Sequence, residues 1–209
     1  MNKRVLFFSL LGVLSIFISG FSLDLAMQWK KWKSLFDGKT LQGWHTIPGG
    51  EWKVKDGAIA GLSDKADTRH GLLVTDRSFQ DFEIRIEYKA IKGNSGLYFR
   101  AEEVGGVVGV HGFQAEIDPD KDAGGLYETG GREWVVKPTV EQVQSWYKPG
   151  QWNKMTVRAE KGHITVYVNG KKTAELFNDT GRSEGHIALQ LHGGIDMHTL
   201  FQNIKIREL

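Results

Sequence analysis

Phe113-Gln114-Ala115-Glu116-Ile117-Asp118 alternates apolar and polar residues without a break. Successive side chains of a strand point to opposite faces, so Phe113, Ala115 and Ile117 pack inward while Gln114, Glu116 and Asp118 line the other surface. Two more stretches repeat the pattern, Leu97-Tyr98-Phe99-Arg100 and Ile187-Ala188-Leu189-Gln190-Leu191-His192. There Leu97, Phe99, Ile187, Leu189 and Leu191 are the inward set, and Arg100, Gln190 and His192 are turned outward. An ordinary exposed sheet face is rich in lysine. These three carry Arg, Gln, Glu, Asp and His instead, the types that read sugar hydroxyls and take part in proton transfer. Placed side by side, the three strands make a site, and two of them end in glycine-containing turns that let a ligand approach the backbone.

The rest of the chain fits the same reading. Trp52-Lys53-Val54-Lys55 and Ala58-Ile59-Ala60-Gly61 flank Asp56-Gly57, a pair that supplies the positive φ angles of a tight hairpin. Phe82 to Lys89 alternates over its whole length. Met155 to Ala159, Ile164 to Val168 and Lys171 to Glu175 form a meander, and Asn203 to Arg207 closes the domain by pairing with an early strand. Helical periodicity is scarce. Short alternating runs separated by Gly, Asn and Asp predict an all-β sandwich or jelly roll. Two regions read as irregular, Ser63 to Gly71 and Asp118 to Gly131. The second, continuing through Trp134 to Pro138, is expected to be a loop or lid at the rim of the Gln114 to Asp118 strand.

The 209-residue chain suits one domain. Lys3 and Arg4 precede an apolar run from Val5 to Ile18, and Ser19-Gly20-Phe21-Ser22 offers small residues where a signal peptidase cuts, so residues 1–22 read as a secretory leader. An uncleaved anchor is the alternative, because the apolar stretch approaches the length of a membrane span. Residues 23–34 read as a linker and 35–209 as the domain, located in the periplasm or secreted. No cysteine is present, so neither a lipid anchor of the bacterial lipoprotein type nor a disulfide is available. The formal charge of +2 is accounted for by Lys3 and Arg4, which leaves a near-neutral mature chain with no nucleic-acid signature and too few lysines after the leader for stable membrane contact.

Leu35-Phe36-Asp37-Gly38-Lys39-Thr40-Leu41-Gln42-Gly43-Trp44 resembles the opening of the 3-keto-disaccharide hydrolase domain family, long known only as a bacterial domain of unknown function. Further blocks follow in the family's order: Trp52 to Gly57, Asp81 to Glu87, Gly93 to Arg100, Gly112 to Pro119, Gln151 to Asn153, Leu189 to Gly194 and Asn203 to Leu209. The segment Ile195 to Gln202 departs from the pattern by lacking the proline often found after the His-Gly turn. The resemblance spans about Leu35 to Leu209. It implies a concanavalin-like jelly-roll β-sandwich of two antiparallel sheets with a concave sugar-binding face, acting on glycosides already oxidised at C3.

A ketone at C3 acidifies the C2 hydrogen, and the glycosidic oxygen on C1 lies β to that ketone. Cleavage then needs a base for the C2 proton, a donor for the enolate oxygen and an acid for the departing aglycone, before water adds back. Glu116 and His192 are the candidates for base and acid, in either order, with Arg100 as the enolate or hydroxyl clamp. Gln114, Asp118 and Gln190 are expected to orient the sugar, and Tyr127 and Trp134 to stack on it. Asn94 and Ser95 are assigned to shaping a turn. A divalent metal is a second way to steady the enolate, with Glu116, Asp118, His192 and His111 as its ligands, although no tight ligand spacing such as His-x-x-x-His calls for one.

Two other readings compete. A carbohydrate-binding or lectin-like module would use the same polar face without turnover. A retaining β-glucanase would need Glu116, Asp118 and Asp120 on one face, yet Pro119 interrupts that strand. No nicotinamide-binding fingerprint occurs, so a separate sugar oxidoreductase would have to make the keto group.

Overall fold

The computed structural model describes residues 31–209, and residues 32–209 form one compact unit. The expected leader and the first part of the expected linker lie outside the described residues. In chain order the strands begin with β1 (Lys33–Ser34), β2 (Trp44–Ile47), β3 (Glu51–Lys55), β4 (Ala58–Ser63), β5 (Gly71–Thr75), β6 (Phe82–Lys92) and β7 (Ser95–Glu103). They continue with β8 (Val110–Ile117), β9 (Leu126–Thr129) and β10 (Glu133–Val136). A short helix α1 (Val140–Trp146) precedes β11 (Asn153–Glu160), β12 (His163–Val168), β13 (Lys171–Leu176), β14 (His186–Leu191) and β15 (Met197–Glu208).

Two antiparallel sheets result. One runs β13-β12-β11-β6-β15-β4-β3 with β1 added to β15, and the other runs β10-β9-β8-β7-β14-β5-β2. The all-β sandwich expected from the alternation is therefore present, and β8, β7 and β14, the three strands with polar outer faces, are direct neighbours. The β3–β4 hairpin turns at Asp56 and Gly57, whose φ angles of 51° and 77° are those a tight turn requires. The expected meander is β11-β12-β13, and the closing strand β15 lies between β6 and β4.

The inward residues of both sheets meet in one core. Phe82, Ile84, Ile86 and Tyr88 of β6 pack with Leu97, Phe99, Phe113, Ala115, Ile117 and Leu189 of the second sheet. Phe99 and Phe113, cross-strand partners on β7 and β8, stack with centroids 5.5 Å apart. Each such buried ring contributes several kcal/mol, and in a chain without disulfides this burial carries the fold.

Three expectations are corrected. Helical periodicity did not single out α1, whose start is fixed by a capping box in which Thr139 and Gln142 satisfy each other's backbone N–H groups. Lys33 and Ser34, read as linker, extend the first sheet as β1. The expected rim loop contains the β9–β10 hairpin, so Tyr127 and Trp134 sit opposite one another on strands and not on a mobile lid.

Candidate functional site

On β8 the alternation runs unbroken, which turns Gln114 and Glu116 to the outer face of the second sheet. Gly96 of β7 lies opposite Glu116, and a Cβ there would come within 2.4 Å of the Gln114 amide nitrogen. The missing side chain is what leaves room for Gln114 to lie against Glu116.

From Glu116 a chain of hydrogen bonds crosses four strands, β8, β14, β7 and β9. Gln114 Nε2 donates to Glu116 Oε2 at 3.0 Å and to Gln190 Oε1 at 3.1 Å. With both of its amide hydrogens committed, Gln114 obliges Gln190 to turn its own nitrogen toward Tyr98, and Gln190 Nε2 donates to Tyr98 Oη at 3.3 Å. Tyr98 Oη in turn lies 2.8 Å from Thr129 Oγ1. Ser95 fixes the strand beneath by donating to the Gln190 carbonyl at 2.7 Å.

Glu116, Gln114, Gln190, Tyr98 and Thr129 line a cavity of about 250 Å³ together with His70, Asn94, Val108, Tyr127, Trp134 and His192. Its volume lies just under the range of roughly 300–1,000 Å³ usual for small-molecule sites, which suits a single sugar ring. The Tyr127 and Trp134 rings meet edge to face at 5.3 Å and form an aromatic wall. Much of the remaining outer face is filled: Leu72, Val74, Ala101, Val110 and Ala188 form a second buried apolar cluster with Tyr98. The loop between β7 and β8 lies near it and is tied down by His70 N–H donating to the Val107 carbonyl.

Glu116 is buried, and its Oε1 has no hydrogen-bond partner among the described residues. Burial is the main cause that raises its pKa to about 8; the nearby Asn94 amide works against it, and the Asp118 and Asp122 charges push the same way as burial. At neutral pH this carboxyl holds its proton.

Two histidines face one another across the cavity rim with ring centroids 4.4 Å apart. His192 Nδ1 lies 2.8 Å from the Gly193 carbonyl, which only accepts, so Nδ1 carries the proton and a neutral His192 keeps a free lone pair on Nε2. Gly193 N–H donates to His70 Nδ1 at 3.2 Å, giving His70 the opposite tautomer. Burial, reinforced by His192, pushes the His70 pKa down to about 4, so His70 stays neutral.

Of the expected site residues, Glu116, His192, Gln114, Gln190, Tyr127 and Trp134 come together at this cavity, and two do not. Arg100 is turned away because β7 bulges between Phe99 and Glu102, with Arg100 in the left-handed region at φ 48°. Ala101 takes the outer-face position. The Arg100 side chain, 1% exposed, donates to the carbonyls of Gln80, Lys161 and Arg182 and pairs with Asp81 at 3.2 Å. It is an anchor between loops. Asp118 lies past the end of β8, where it accepts from Asn94 Nδ2 at 3.3 Å and from the Asp120 backbone N–H at 2.8 Å. The same turn takes Asp120 off the strand, which removes the row of carboxylates a β-glucanase would need.

Among the described residues no three His, Cys, Asp or Glu side chains converge as a metal would require, and His111 lies on the face of β8 opposite Glu116. Glu116, Asp118 and His192 therefore do not form a ready ligand set. Sequence reasoning missed Tyr98, His70, Thr129 and the pocket role of Asn94. Tyr98 alone carried a signal, since it alternates with Leu97 and Phe99 and so must face outward.

Residues 31–207 match a family described as the 3-keto-alpha-glucoside-1,2-lyase-like domain. The chain is 26% identical to a 3-keto-disaccharide hydrolase of Bacteroides thetaiotaomicron, across 90% of this chain and 82% of that protein. A crystal structure of a candidate glycosyl hydrolase from Parabacteroides distasonis superposes with a TM-score of 0.63 at 23% identity, covering 85% of this chain and 94% of that one. The carbohydrate-binding module CBM66 from Bacillus subtilis gives a TM-score of 0.63 at 19% identity, covering 79% and 96%. Both superpositions show a shared sandwich fold.

Proposed function

Because the chain belongs to the 3-keto-alpha-glucoside-1,2-lyase-like domain family, we propose that its cavity cleaves glycosides already oxidised at C3. The observation that carries this reading is the pairing, at one sugar-sized cavity, of a buried protonated carboxyl with a histidine whose Nε2 is free.

His192 Nε2 takes the C2 proton, and the electron pair moves into the C2–C3 bond as the ketone becomes an enolate. The pair then collapses to form C1=C2 while the C1–O bond breaks, and Glu116 delivers its proton to the departing aglycone oxygen. In the hydrolytic half, water adds across the double bond. Its oxygen bonds to C1 as it gives a proton to Glu116, and C2 regains a proton from His192. Gln114 and Gln190 orient the ring, and the Tyr127–Trp134 wall supports it by stacking. With Arg100 held elsewhere, the enolate oxygen must be met by uncharged donors. On this reading the ketone is supplied by a separate sugar oxidoreductase, and residues 1–22, read as a secretory leader, would take the enzyme to the periplasm or outside the cell.

A second reading, a binding module without turnover, draws on the CBM66 likeness and on the suitability of amide and hydroxyl groups for pure recognition. The experiment that separates them incubates the protein with a nitrophenyl 3-keto-glucoside and with its unoxidised parent. Release from the keto compound alone, lost in His192→Gln while binding persists, is expected. Binding of both glycosides without release from either would establish the module instead.

A further inference from the structure

Tyr98 and Thr129 share a property that follows from counting protons. Tyr98 is 2% exposed, and burial raises its pKa far out of the neutral range, so both residues keep their hydroxyl hydrogens. Tyr98 Oη already accepts from Gln190. One of the two hydroxyl hydrogens lies in the 2.8 Å contact between Tyr98 and Thr129, whichever residue donates it. The other has no partner among the described residues. Both side chains line the cavity, so that hydrogen is available to whatever the cavity holds. The amide polarity that forces Tyr98 to accept originates at Glu116, through Gln114 and Gln190, so the free donor is built into the network.

We propose that the Tyr98–Thr129 pair supplies the single O–H donor that meets the C3 carbonyl oxygen of the substrate and holds the enolate oxygen formed from it. This inference rests on the reading of the cavity as a site for 3-keto-glycosides and names the group that takes the role Arg100 vacates. Removal of the C2 proton turns that oxygen from a neutral acceptor into an anion. A buried, preset O–H strengthens its bond to the oxygen at that moment and so lowers the barrier to enolisation.

Enolisation can be read without cleavage. Methyl 3-keto-glucoside, whose methoxide is a poor leaving group, is incubated with the protein in deuterium oxide, and loss of the C2–H signal is followed by proton NMR. The wild-type chain exchanges that hydrogen. Tyr98→Phe and Thr129→Val each leave one hydroxyl whose hydrogen is released from the mutual contact, so each single variant is expected to keep most of the exchange, whereas the double variant has no hydroxyl left and is expected to slow exchange about a hundredfold, the usual effect of removing one oxyanion donor. Melting temperature checks that each variant is folded. Exchange at the wild-type rate in the folded double variant overturns this inference alone. Absence of both exchange and binding in the wild-type chain sinks the reading of the cavity itself, and this inference with it.

Discussion

Glu116 owes its chemistry to position. Its carboxyl sits on a strand whose alternation is unbroken, over the space left by Gly96, among amides that offer hydrogen bonds and no cation. A pKa of about 8 makes it an acid at neutral pH and a carboxylate above that. If it protonates the leaving group, kcat falls as pH rises through about 8, and Glu116→Gln lowers kcat by about 10²–10⁴ while leaving KM within a few-fold. A pH-rate profile and steady-state kinetics on a 3-keto-disaccharide, whose sugar alkoxide cannot leave without a proton, check both, and a flat alkaline limb would remove Glu116 from the acid role. Gly96→Ala tests the floor. Its methyl group would displace Gln114, so turnover drops and Glu116 loses its hydrogen-bond donor, an effect visible as an upward shift of the same alkaline limb.

At the scale of the element, one residue in β7 decides what the strand presents. Read as period two, the strand puts Tyr98 and Arg100 on the same outer face; the bulge leaves Tyr98 there and sends Arg100 to the loops. No feature of the sequence announces this, because arginine is not a residue that seeks the left-handed region, and the loops whose carbonyls reward it lie far along the chain. Arg100→Met strands three carbonyl oxygens and Asp81, and is expected to destabilise the fold by about 3 kcal/mol in urea denaturation while leaving turnover per folded molecule unchanged. A large fall in kcat at full folding would restore Arg100 to the site. The β9–β10 hairpin was obscured for a different reason. Its strands are four residues each and its turn is Gly130-Gly131-Arg132, so the composition resembles a loop. His70 was equally hidden, since its place depends on backbone approach: a Cβ on Gly193 would lie 2.5 Å from the Thr68 carbonyl. Gly193→Ala should therefore push the His70 segment away from His192 and lower kcat/KM, with the loss absent from variants at exposed Gly150, where a Cβ meets nothing.

Across the whole molecule, the sandwich was legible because hydrophobic burial acts on every strand at once, and neither a bulge nor a missed helix changes which faces form the core. The same burial makes the site's titrations felt in global stability. Glu116 holds its proton up to about pH 8 when folded and releases it above its ordinary 4.5 when unfolded, so unfolding frees a proton between those values and stability falls as pH rises across that window. His70 acts in the opposite sense. Its folded pKa near 4 lies below the ordinary 6.5, so the unfolded chain takes up a proton as pH drops from 6.5 toward 4 and stability falls with it. Each proton is worth up to about 1.4 kcal/mol per pH unit inside its window, enough to move the melting temperature of a domain this size by roughly 3–6 °C per unit. Between about pH 4.5 and 6.5 the two effects oppose each other, so the wild-type melting temperature is expected to hold a plateau there and to fall on either side. Glu116→Gln should abolish the decline above about pH 6.5 and leave a fall from about 6.5 toward 4, and His70→Gln should abolish the decline below about 4.5 and leave a fall from about 4.5 to 8. Parallel melting curves for wild type and Glu116→Gln from pH 5 to 8 would mean that Glu116 is ionised in the folded protein, and the assignment of acid and base between Glu116 and His192 would then have to be reversed.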